Sequence, residues 1–64
     1  MSKAYMYSLY SSKEYTTQNL VGTVFYNTFR NRIMFNNKKY LVDVPSMRLL
    51  QGEAYEEYYC YEDK

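Results

Sequence analysis

Histidine and tryptophan are absent from this chain of 64 residues, and cysteine and proline occur once each. Each scarcity removes a class of chemistry. Histidine is the usual proton carrier near neutral pH, so acid–base catalysis would fall to carboxylates tuned in a dry, concave site. A shell this small has little room for one. A single cysteine forms no disulfide, and without histidine it cannot complete a tetrahedral zinc site. Cys60 lies between Tyr59 and Tyr61 in an acidic stretch that raises its pKa, which predicts an inert thiol used as a small apolar residue. Gly22 and Gly52 are the only glycines, too few for a phosphate-cradling loop. Ser12 and Lys13 are adjacent, so a strand would point them apart, and no Ser–Lys dyad follows. The expectation is a protein that is not an enzyme and holds no metal or cofactor.

Long apolar runs are missing too. Nothing nears the ~20 residues a membrane-spanning helix needs. The opening MSKAYMYSLY is broken by polar residues before a signal-peptide core can form. With one cysteine and no N-x-S/T sequon, these features predict a cytoplasmic protein with no membrane partner.

What the chain has in excess is tyrosine, ten residues, a type suited to half-buried strands and to contact surfaces. Abundant Tyr, Asn and Lys also fit an AT-rich coding genome, such as that of a phage of a low-GC host. The length allows one domain, residues 1–64. At this size folding buries only about 60% of the unfolded chain's surface, and stability is marginal without a staple or a partner. A homo-oligomer, or a chain bound to something larger, is therefore expected. The net charge is +1, but it is unevenly placed. Through Gln51 the basic residues Lys3, Lys13, Arg30, Arg32, Lys38, Lys39 and Arg48 face only Glu14 and Asp43. Beyond it Glu53, Glu56, Glu57, Glu62 and Asp63 face only Lys64. Such a chain can satisfy itself, within one molecule or between two, or offer two surfaces to different partners.

Phe29 to Val44, FRNRIMFNNKKYLVDV, reads as the central β-hairpin. Alternation sets Phe29, Ile33 and Phe35 on one face of the first arm and Arg30, Arg32 and Met34 on the other. Tyr40, Val42 and Val44 share a face of the second arm, opposite Lys39, Leu41 and Asp43. A corner at Asn37-Lys38 pairs Phe35 with Tyr40, whereas a corner at Asn36-Asn37 slides the partners by two; both keep the faces. Asn27 and Asn31 suggest a tight turn near Thr28 to Arg30, which shortens the first arm to about Asn31 to Phe35.

Lys3 to Ser11 has apolar groups on both sides, as a strand covered on both faces would. Ser11 and Glu14 have capping-box spacing, but the poor helix formers that follow favour a turn. Leu20 to Thr28 reads as a strand in which Gly22 marks a bulge or bend. Pro45 should end the hairpin, and Ser46 should start a short helical turn over residues 46–51, stopped by Gly52. The tail EAYEEYYCYED is read as a strand, with Tyr55, Glu57, Tyr59 and Tyr61 on one side and Glu56, Tyr58 and Cys60 on the other. The competing stripe Met47, Leu50, Ala54 and Tyr58 would make it a helix. The fold class expected is mainly β, a small antiparallel sheet or partly open SH3- or OB-like barrel of four to five strands. The alternative is α+β with a C-terminal helix.

The leading functional expectation is a non-enzymatic protein-binding module, of the kind a phage would encode to dock on a host protein and block it. Its anchors would be Tyr55, Tyr58, Tyr59 and Tyr61 with Arg30 and Arg32, residue types that dominate contact energetics. The alternative is a nucleic-acid or nucleotide-binding module using Arg30, Arg32, Lys38, Lys39 and Tyr40, cations tracking phosphates while a ring stacks. A pI of 7.8 falls short of the value above ~9 usual for such modules. Carboxylates on the tail invite nucleic-acid mimicry, but they read better as a solvated edge that discourages aggregation. A third reading is a structural subunit whose tyrosine surface serves only self-assembly.

Overall fold

The computed structural model describes residues 4–49 and 55–64. Five strands form one curled sheet in the order β2-β1-β5-β4-β3. They are β1 (Ala4–Tyr10), β2 (Leu20–Tyr26), β3 (Arg32–Phe35), β4 (Lys38–Leu49) and β5 (Tyr55–Glu62), with one 3-10 turn at Thr17–Asn19. The chain is mainly β, with the open half-barrel form expected of a small OB-like fold.

β1 and β5 occupy the middle. They run parallel, Tyr7 beside Tyr58 and Leu9 beside Cys60, while every other neighbouring pair is antiparallel. The sheet is thus mixed rather than wholly antiparallel, because the last strand inserts between the first strand and the hairpin. Burial explains the choice of centre. Tyr7, Ser8, Leu9 and Tyr10 are all buried, as expected of a strand covered on both sides.

One face of the curl is the core. Tyr7, Leu9, Ile33, Tyr40, Tyr58 and Cys60 meet there, with Tyr5, Val24, Tyr26, Phe35 and Val42 packed against them. Each fully buried large side chain contributes roughly 1.5–3 kcal/mol of transfer free energy, so a few such residues dominate a domain of this size. Tyr7 and Tyr58 stack at 5.7 Å between centroids. Burial raises the hydroxyl pKa of Tyr7, whose oxygen accepts the Arg30 backbone N–H at 2.8 Å. That bond ties the loop after β2 onto the core.

The hairpin turns at Asn36 and Asn37, whose φ angles are 51° and 65°. Two left-handed residues make a two-residue turn that matches strand twist, and asparagine tolerates that region better than most residues. Phe35 therefore pairs with Lys38 and Ile33 with Tyr40, the second of the two registers. Within the paired residues the faces keep their expected membership, but Phe29 and Arg30 precede β3, and Arg30 does not share a face with Arg32. Gly22 sits at an irregularity in the β1–β2 ladder, where Leu9 pairs with Gly22 and Tyr10 with Leu20, leaving Val21 as the extra residue. The missing side chain also admits the Phe35 ring: a Cβ on Gly22 would lie 3.0 Å from its Cζ. β2 and β3, at opposite ends of the sheet, touch through that ring.

Two expectations are corrected. Pro45 does not end β4, which runs on to Leu49. The ladder to β5 is interrupted between Asp43 and Arg48; the proline sits in that bulge, so its missing N–H costs no rung. The Ser46 hydroxyl stands in for the lost backbone partner, accepting from the Tyr59 N–H at 2.9 Å and donating to the Asp43 carbonyl at 2.6 Å. The helical turn expected at 46–51 is accordingly absent over 46–49, where the backbone is extended; residues 50–54, including the Gly52 stop, lie outside the described residues. Tyr55–Glu62 is a strand, so the C-terminal helix alternative fails. Tyr55 and Glu56 pair with Ala4 and Tyr5 of β1, and those ladder bonds outweigh a helical stripe of four residues.

Candidate functional site

The outer face of the sheet carries most of the sequence-predicted residues. Alternation in β5 turns Tyr55, Glu57, Tyr59 and Tyr61 outward, and the registers extend each into a row across the strands. Arg32, Leu41, Tyr61, Tyr10 and Leu20 form one row; Asp43, Tyr59, Ser8 and Thr23 the next; Arg48, Glu57, Met6 and Phe25 the third.

The loop between β1 and β2 folds over this face. Tyr15 from the loop packs against Tyr10 at 5.1 Å and Tyr59 at 5.2 Å between ring centroids, while Tyr10 and Tyr59 meet edge to face at 5.4 Å. The Tyr15 hydroxyl donates to Asp43 Oδ2 at 2.8 Å, and burial and that carboxylate push its pKa well above the ordinary tyrosine value. Arg48 donates to the Tyr59 hydroxyl at 2.9 Å, and Ser8 to Glu57 Oε2 at 3.0 Å. Lys13 Nζ stands 4.7 Å from the Tyr61 ring centroid, a cation–π contact. These contacts hold the tyrosine rings in place.

The six expected protein-binding residues divide. Tyr59, Tyr61 and Arg32 share the outer face, Arg32 being joined to Tyr61 through Leu41 in a single row. Tyr55 is also on that face but at the far end of β5, edge-on to Phe25 at 5.6 Å. Tyr58 points inward and is only 7% exposed; burial and its bond to Glu56 push its pKa up to about 12. It offers no ring to a partner and belongs to the core. Arg30 is exposed but lies off this face, its guanidinium 4.5 Å from the Tyr26 ring centroid.

The residues considered for nucleic acid are scattered further. Tyr40 is 1% exposed and cannot stack on a base. Lys38 pairs with Phe35 and Lys39 with Met34, so the two lysines leave the hairpin on opposite faces. The Asp63 N–H donates to the Lys39 carbonyl at 2.8 Å, which brings the acidic end of the chain beside the basic hairpin.

Cys60 is fully buried, and desolvation together with Asp43 raises its pKa to about 12, so it presents no thiolate. Among the described residues no group of three or more Cys, Asp or Glu side chains is placed to hold a metal ion, and no helix is long and apolar enough to cross a membrane. Sequence reasoning missed Tyr10, Lys13 and Tyr15 as parts of this face. The outward side of β1 was legible for Tyr10, but nothing local signals that a loop tyrosine folds back on it. Compared with family models, curated proteins and solved structures, the chain matches none.

Proposed function

We propose that this chain is a non-enzymatic binding module that docks on a partner protein through the outer face of β3, β4 and β5, with Tyr61 and Arg32 as anchors. The supporting observation is the row Arg32, Leu41, Tyr61, beside which Met34 stands 58% exposed. Aromatic, arginine and methionine side chains on one face match the composition of contact surfaces. Tyr59 and its hydrogen-bonded neighbours hold that face rigid, which lowers the ordering cost of association. Blocking would follow if the covered surface of the partner is its working site. The nucleic-acid reading is weaker, because its ring is buried and its lysines are split.

The test is capture from a lysate of the source cells, treated with nuclease, using the chain and its Tyr61→Ala and Arg32→Ala variants as baits. An anchor is worth ~2 kcal/mol or more, so each variant should bind the captured protein roughly thirtyfold more weakly. A captured protein indifferent to both variants overturns the assignment. Retention that needs nucleic acid, with affinity falling steeply in salt, replaces this reading with its rival.

A further inference from the structure

We propose that β2 is a dimerisation edge, by which two copies of this chain pair antiparallel about a two-fold axis at Val24. The two edges of the sheet differ. β3 is four residues long, opens on Arg32 and follows Arg30. Short length and charge are the usual means of blunting an edge. β2 has seven residues, LVGTVFY, with no charge and no proline, and lies at the other end of the sheet. Leu20, Val21 and Phe25 are 42%, 41% and 57% exposed. An edge of this length and character is a template for another strand.

A second copy fits this edge for two reasons. First, no residue from Tyr15 to Phe29 carries a charge, and the charges that bound the stretch are Glu14 at one end and Arg30 at the other. Antiparallel two-fold pairing keeps the two Arg30 side chains at opposite ends of the shared edge and brings each toward the Lys13-Glu14 end of the other copy, where the charges offset; parallel pairing would set the two arginines side by side. Second, the strand is self-complementary. Its ladder to β1 is regular from Gly22 to Tyr26, and an axis at Val24 sets Phe25 against Thr23 and Gly22 against Tyr26, twice each. Aromatic and β-branched residues pair well across strands, and the Phe25 and Thr23 side chains so matched are both exposed on the outer face. Such an interface is isologous and closes at two copies. It leaves the Arg32–Tyr61 row uncovered, so it stands or falls separately from the proposed docking face.

The test is the mass of the full chain in sedimentation equilibrium over about a hundredfold range of concentration, with amide hydrogen exchange at both ends of the range. The expected result is a doubling of the 7.8 kDa monomer, with concentration-dependent protection at residues 20–26. Phe25→Lys and Thr23→Lys should restore the monomer, while Leu49→Lys, which removes a still more exposed apolar side chain elsewhere, should not. Val24→Cys should cross-link to its copy on oxidation, the native thiol being buried and silent. Exchange on the unaltered chain keeps the test valid if a variant fails to fold. A chain that stays monomeric at every concentration overturns the proposal. So does a dimer protected outside β2, a mass that keeps rising beyond two copies, or a dimer that survives both lysine variants.

Discussion

Cys60 and the buried tyrosines titrate above their ordinary values chiefly because of the cost of placing a thiolate or phenolate in a dry sheet. Unfolded, the thiol would ionise near 9.0 and the Tyr58 phenol near 10.0; folded, both are held up to about 12. Tyr7, Tyr10, Tyr15 and Tyr40 are shifted the same way. Above pH 9 the unfolded chain therefore carries fewer protons than the folded one, and stability falls as pH rises. Alkaline unfolding should be cooperative, with the Cys60 thiolate and the phenolates of the buried tyrosines appearing together in ultraviolet absorbance as tertiary structure is lost. Gradual ionisation of all ten tyrosines in a chain still folded would contradict the burial. In mildly alkaline buffer Cys60 should react with a thiol reagent only at the rate of global opening. The Tyr15 hydroxyl makes a second residue-scale case. Tyr15→Phe removes its bond to Asp43 and should cost about 1–2 kcal/mol in urea unfolding, with faster amide exchange in residues 11–19.

Among the elements, the hairpin and the β4 bulge are held by different means. Both turn residues of the hairpin have positive φ, which costs an ordinary side chain roughly 1–2 kcal/mol per residue. Asn37→Gly should therefore stabilise the chain by up to about 1 kcal/mol, and Asn36→Val should destabilise it by at least that much, read from denaturant midpoints. The bulge depends on one hydroxyl. Ser46→Ala strands the Tyr59 N–H and frees the Asp43 carbonyl, and an unsatisfied buried amide costs ~1–3 kcal/mol. At this scale much was readable in advance. The faces of the hairpin and of β5 followed from alternation, and Gly22 did mark a bulge. What alternation left open was the hairpin register, since both candidate corners preserve the same faces. Pro45 misled because it was judged by its missing N–H alone, and a bulge removes the need for that donor.

Across the whole molecule, Gly22 and Phe35 record how far the sheet curls. The two residues lie on opposite edge strands, and the ring seats where a side chain on Gly22 would be, at 3.0 Å from its Cβ position. Gly22→Val should displace the ring and cost ~1–3 kcal/mol by overpacking. Combined with Phe35→Leu, the loss should be smaller than the sum of the two single effects, a coupling that a double-mutant cycle measures. Strict additivity would mean that the edges do not touch. The same curl separates Arg30 from Arg32, two residues apart in the chain, by carrying the former to the Tyr26 ring and the latter to the outer row.

Composition and alternation alone determined that the chain is mainly β, that Cys60 is buried, and that Tyr55, Tyr59 and Tyr61 share a face that Tyr58 does not, because strand periodicity is local and survives any choice of partner. Only the tertiary structure decided that β5 enters the middle of the sheet parallel to β1, that Tyr15 closes over Tyr10 and Tyr59, and that Tyr40 is sealed in the core. These depend on which strands pair at long range, and pairing is chosen by the total surface buried, a quantity no short stretch of sequence contains.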